Sequence, residues 1–141
     1  MILCETKSAI LSFDPSIPCL ELIIKPGIRK SKEFRTVHKI TLEKFIEFKL
    51  QYPDLGLFID ARDLDAIKPR EMDWLAKKIF PQLEEAGLTK KAFLFLDNQT
   101  GKIILEMYKD KLSGSKIVIN EFKSFKDARV WLKDTNCSSF N

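Results

Sequence analysis

The sequence predicts an α/β fold, a single domain over residues 1–134 built on one mixed β-sheet that opens with an N-terminal hairpin and is covered by about four helices. Three observations predict it. Two apolar, partly β-branched runs near the start are separated by a turn-type insert. Farther on, short continuous apolar runs, typical of strands buried on both faces, alternate with apolar stripes at helical spacing. The composition is 45% hydrophobic and 31% charged, with only 5 Gly and 6 Pro in 141 residues, which suits a globular chain able to bury one core without disulfide or metal staples.

Ser8 to Phe13 and Pro18 to Ile24 read as the hairpin strands around Asp14-Pro15-Ser16-Ile17, with Met1 to Cys4 as a short edge strand and Lys25-Pro26-Gly27 as the stop. From Ser31 to about Leu50, Phe34, Val37, His38, Phe45 and Phe48 recur at helical spacing, while Arg35, Lys39, Glu43 and Glu47 hold the other face. One helix is the favoured reading; the pattern also allows a second to begin at Thr41. Leu55 to Ile59, closed by Asp60, reads as the central strand.

Pro69 fits a first helical turn, and Met72, Leu75, Ala76, Ile79, Phe80, Leu83 and Ala86 follow until Gly87. Pro81, which lacks an N–H and collides with the preceding turn, predicts a kink near Phe80. Ala92 to Leu96, ended by Asp97-Asn98, reads as a second buried strand, and Ile104, Met107, Tyr108 and Leu112 as a helix closed by Gly114. Ile117 to Ile119 is the last strand. Ser124, with Asp127 three residues on, caps a final helix carrying Phe125, Ala128, Trp131 and Leu132, and 135–141 is a polar tail. Strand and helix in alternation imply parallel later strands joined by right-handed crossovers.

The N-terminus brings charge within five residues and has no signal-peptide core, and no run approaches the ~18 apolar residues of a transmembrane helix. A cytoplasmic protein is the expectation. Cys4, Cys19 and Cys137 have no Cys-x-x-Cys spacing and only one histidine accompanies them, which argues against disulfide and zinc frameworks. The net charge of +4 falls short of a nucleic-acid binder, and the basic stretch Arg29-Lys30-Ser31-Lys32 with Arg35 and Lys39 is interspersed with Glu33, Glu43 and Glu47, as on a solvated face.

Asp60 and Asp97 fall just past the ends of buried strands, where open α/β sheets place ligand crevices, with Asp63 and Asp65 nearby. Such carboxylates are able to hold Mg²⁺ or accept a phosphoryl group; the plainer role is to cap the following turn. Asp-x-Asp phosphatase chemistry fails because Arg62 stands two positions after Asp60, and no acidic pair follows the first strand as a receiver domain requires. Gly101-Lys102 is no phosphate loop, since Leu96 and Ile103 occupy the positions of the earlier glycine and the hydroxyl. His38 has no nucleophile in recognisable context. No catalytic residue, metal or cofactor is therefore predicted. Trp74 lies opposite the apolar stripe of its own helix, beside Arg70, Lys77 and Pro81, where a loop, the tail through Phe140 or a partner would cover it. The candidate ligand or partner surface is Asp60, Arg62, Trp74 and Asp97.

Ser31-Lys32-Glu33-Phe34-Arg35, Leu57-Phe58-Ile59-Asp60-Ala61-Arg62, Pro69 followed by Trp74, Ala92-Phe93-Leu94 and Ala128-Arg129-Val130-Trp131-Leu132 occur in that order along nearly the whole chain. In order and spacing they resemble the bacterial STAS-like (SpoIIAA-like) family, similar to anti-sigma-factor antagonists and related by fold to CRAL-TRIO lipid carriers. The resemblance implies a hairpin-led mixed sheet and a protein-interaction or regulatory role without catalysis. The phospho-switched antagonists have an Asp-Ser pair at the start of the helix after the central strand; Lys68 and Pro69 stand there in this chain, so the acceptor hydroxyl is missing. The expected partner is a protein or a second copy. The alternative is a carrier or sensor of an apolar ligand such as a lipid or quinone between helices and sheet, suggested by the 11 Phe, several at helical core spacing.

Overall fold

A computed structural model of the chain describes residues 1–26, 31–64, 66–95 and 99–134. Six strands form one sheet in the order of the sequence: β1 (Ile2–Glu5), β2 (Ala9–Asp14), β3 (Cys19–Ile24), β4 (Gly56–Asp60), β5 (Lys90–Leu94) and β6 (Val118–Phe122). The first three are antiparallel and β3 to β6 are parallel, so the sheet is mixed as expected. Five helices follow the same order: α1 (Ser31–Lys49), α2 (Pro69–Trp74), α3 (Phe80–Glu85), α4 (Gln99–Lys111) and α5 (Phe125–Lys133).

The crossovers all step the same way across the sheet, and right-handed connections that step one way lay their helices on one face. α1, the α2–α3 segment and α4 therefore form a single layer. Beneath them Leu20, Leu22, Leu57, Ile59 and Phe93 meet Phe34, Phe45, Leu75, Phe80 and Tyr108 in the main core. Among the described residues, only α5, after the last strand, covers the opposite face, where Ala128 and Leu132 pack on Cys19, Phe58, Ala92 and Leu94. Over the hairpin that second face is less covered: Ile10 and Ile23, paired directly across β2 and β3, are half-buried, and Ile2 is exposed.

Several boundaries differ from the sequence-based expectation. β5 begins at Lys90, two residues early, because two lysines enter the buried strand. β6 extends to Phe122 through the polar residues Asn120 and Glu121, which an edge strand tolerates. α1 is one helix, continuous through Ile40 and Thr41. The kink expected near Phe80 takes the form of a π-helical turn over Leu75–Ile79, in which the Phe80 N–H donates to Leu75 O. Pro81 sits in the first turn of α3, where no donor is needed; one extra residue in the turn before it removes the collision that an uninterrupted α-helix would suffer. Gly87, at φ +101°, ends α3 in a Schellman arrangement, with Leu88 N–H on Leu83 O and Gly87 N–H on Glu84 O.

Candidate functional site

Asp60 and Arg62 meet at the C-terminal end of β4 on the α5 side. Asp60 is buried and Arg62 grips it twice, Nε to Oδ1 at 3.0 Å and Nη2 to Oδ2 at 2.9 Å, while the Arg62 backbone N–H also donates to Oδ1 at 3.3 Å. That is the turn-capping role of an aspartate, with a guanidinium added. The same guanidinium stands 5.0 Å from the centroid of Phe125 on α5. Arg129 stands 5.3 Å from the same ring and donates Nη2 and Nε to Glu21 Oε1 on β3, at 2.9 and 3.2 Å. Hydrogen bonding to the carboxylates, ahead of desolvation, pushes both arginines above the ordinary guanidinium value. The arrangement is self-satisfied: two carboxylates rooted in the sheet, two arginines and one ring tie α5 down. Asp63 is exposed nearby. Asp65 and Asp97 lie outside the described residues, as do Leu96, Gly27, Arg29, Lys30 and 135–141 with Cys137 and Phe140, so the crevice drawn from Asp60 and Asp97 has only its Asp60 side described.

Trp74 is elsewhere, on the helical layer. It is half-buried and packs against the edge of the main core, and the Arg35 guanidinium of α1 lies 5.1 Å from its ring; the tail with Phe140, the other expected cover, lies outside the described residues. Arg35 is held by Glu71 through Nε–Oε2 at 2.8 Å and Nη2–Oε1 at 3.2 Å, and Glu71 is itself buried. Below this pair the two helices part and leave a groove of about 460 Å³. Leu42, Trp74 and Ile79 supply its apolar wall, Lys39 and Glu43 one lip, and Lys78 and Gln82 the other. Its volume lies within the range of pockets that hold ligands or anchor side chains.

Two buried lysines escaped sequence reasoning. Lys90 faces α5, where its Nζ donates to the Trp131 carbonyl at 2.9 Å and to the Asp134 carbonyl, capping the end of that helix with a cation, as the helix dipole favours. Lys91, one residue on, points the other way into the main core. Its Nζ stands 4.7, 5.3 and 4.8 Å from the ring centroids of Phe80, Phe93 and Tyr108, and burial lowers its pKa to about 7. His38 on α1 is buried beside Phe34, and burial, helped by the charge of Lys91, lowers it to about 3. A Lys-Lys pair at the head of an apolar run was the available signal, since strand alternation sends one lysine to each face. The phenylalanines at helical spacing, Phe34, Phe45 and Phe80, are core residues.

The described helices include none long and apolar enough to cross a membrane. Comparison with protein-family models, with curated proteins and with solved structures finds no match to this chain.

Proposed function

We propose that this chain is a STAS-like, non-enzymatic interaction module that receives a partner protein at the groove between α1 and the α2–α3 segment. The observation that carries the reading is Trp74, a large aromatic side chain left half-buried on the wall of a groove floored by Leu42 and Ile79. Aromatic residues in such settings are the usual anchors of protein interfaces, and a Trp is seldom left uncovered. The start of α2, where phospho-switched antagonists have their acid and hydroxyl, has Lys68 and Pro69, so the partner would be gripped without that switch. The reading as an apolar-ligand carrier finds less support, because Phe34, Phe45, Phe80 and Phe93 are spent on filling the core.

The test is partner capture with two variants, each first shown by circular dichroism to keep its fold. Trp74→Ala is expected to raise the dissociation constant of the captured partner, or of the self-associated chain, by roughly tenfold or more, the range of an interface anchor. Arg62→Ala, on the opposite side of the sheet, is expected to leave it unchanged. Binding that survives Trp74→Ala and is lost with Arg62→Ala would move the interface to the α5 side and sink this placement.

A further inference from the structure

The helical layer carries a second exposed apolar feature, and it complements the groove. On α4, Ile103 is 55% exposed and Met107 half-buried, and they form an apolar strip on the outer face of the helix with Glu106 and Asp110 beside them. The groove presents the opposite signs. Lys39 and Lys78 stand on facing lips above Leu42, Trp74 and Ile79, and neither lysine takes part in the ion pairs among the described residues. Glu43 is the one acid among the residues lining the groove; on α4 Lys102 stands beside the two acids, and Glu106 has an exposed ion pair with Lys109 at 4.0 Å, which leaves Asp110 as the acid without an ion pair among the described residues. An acid-edged apolar strip and a lysine-edged apolar groove are thus displayed on one molecule.

Their placement matters as much as their chemistry. α1, α2–α3 and α4 cover the same sheet face, and α4 is tied to α2 by Lys111 Nζ–Asp73 Oδ1 at 2.8 Å, so strip and groove open on one outer surface. When two such surfaces meet about a two-fold axis running between the features, each copy's strip lies over the other's groove. The contact is then made twice and closes, as in an isologous dimer. We infer that the occupant of the groove is a second copy of this chain, with the Ile103–Met107 strip of α4 seated against Trp74 and with Glu106 and Asp110 facing Lys39 and Lys78. This rests on the reading of the groove as a docking site.

Charge reversal tests it on the full chain by sedimentation velocity at low salt, from micromolar to submillimolar concentration. The wild type is expected to dimerise, and less so at high salt, because the pairs lie at an exposed rim. Lys39→Glu with Lys78→Glu sets acid against acid, and Glu106→Lys with Asp110→Lys sets base against base; each double variant is expected to weaken the dimer by roughly tenfold or more. Mixing the two variants restores opposite signs at both contacts, so a heterodimer is expected where neither variant pairs with itself. All four positions are exposed, and unchanged circular dichroism separates lost association from lost fold. A wild type that stays monomeric throughout, or a dimer that neither variant weakens, overturns the second-copy assignment. The groove as a docking site for another protein is then judged by whether Trp74→Ala alters capture of that partner.

Discussion

Lys91 sits with its ammonium over three aromatic rings and His38 as a further titratable neighbour, in a place where an ionised side chain is costly. In the unfolded chain this lysine titrates near its ordinary value of 10.5, and in the folded chain burial lowers it to about 7. Between those values the unfolded state binds the extra proton, so stability rises with pH through that window, by up to about 1.4 kcal/mol per pH unit. Two groups oppose the rise at its upper end. Burial raises the Cys19 thiol and the Tyr108 phenol, so the unfolded forms ionise first, above about 9 and 10, and stability is lost as pH climbs past them. His38 acts at the other end, where its depressed value removes stability as pH falls from about 6.5 towards 3. Urea midpoints are therefore expected to climb from pH 7 to about 9 and to turn down above 10. Lys91→Met, which fills similar volume without the charge, is expected to raise the midpoint at pH 7 and to flatten the climb. A climb that persists in this variant would assign it to another group.

At the scale of elements, the fit of α5 on the sheet depends on a position with no side chain. A Cβ at Gly56 would meet Leu132 Cδ2 at 3.0 Å, with the Lys90 carbonyl behind it at 3.6 Å. Gly56→Ala is expected to push α5 outward and to cost about 1–3 kcal/mol, the usual range for an overpacked core. Leu132→Ala alone is expected to cost about 2–5 kcal/mol through the cavity it leaves. Because each change relieves the other, thermal melts of the double variant are expected to show less than the sum; strict additivity would mean that the close approach is not what Gly56 protects.

Much of this element order was legible in the sequence, because the periods of strand and helix are local properties: Leu55 to Asp60, the stripe from Phe34 to Phe48 and the Ser124 cap, whose hydroxyl accepts from Asp127 N–H at 3.1 Å, needed no knowledge of neighbours. What was not legible depends on two elements at once. Lys90 and Lys91 look like the end of a loop until α5 supplies carbonyls for one and α3 and α4 supply rings for the other. Pro81 announces a disturbance, but whether the helix breaks or widens by one residue is decided by how Leu75, Ile79 and Phe80 are held in the core. The candidate surface divides for the same reason: Asp60 with Arg62, and Trp74, are near in sequence yet belong to opposite sides of the sheet, and the groove beside Trp74 exists only because α1 lies next to it.

For the whole molecule the unequal covering of the two sheet faces has a dynamic consequence. Three helical segments bury the first face under one continuous core, whereas among the described residues the second is covered by the nine residues of α5. That helix is fastened at three places: Arg129 to Glu21, Phe125 beside the guanidiniums of Arg62 and Arg129, and its C-terminal end to Lys90. With a small apolar footing, local opening is expected to lift α5 away while the sheet stays intact, because units of low burial open below the global free energy. Native-state hydrogen exchange measures this directly. The α5 amides are expected to exchange at a lower free energy than those of β3, β4 and β5, and Arg129→Ala is expected to lower α5 protection further while leaving the strand amides unchanged. The cost belongs chiefly to Glu21, a carboxylate buried at 8% exposure that would lose its guanidinium, a penalty of about 1–3 kcal/mol or more. If α5 and the central strands instead exchange together, and Arg129→Ala lowers both equally, α5 is an integral part of the cooperative core and the second face has no independent motion to offer a partner.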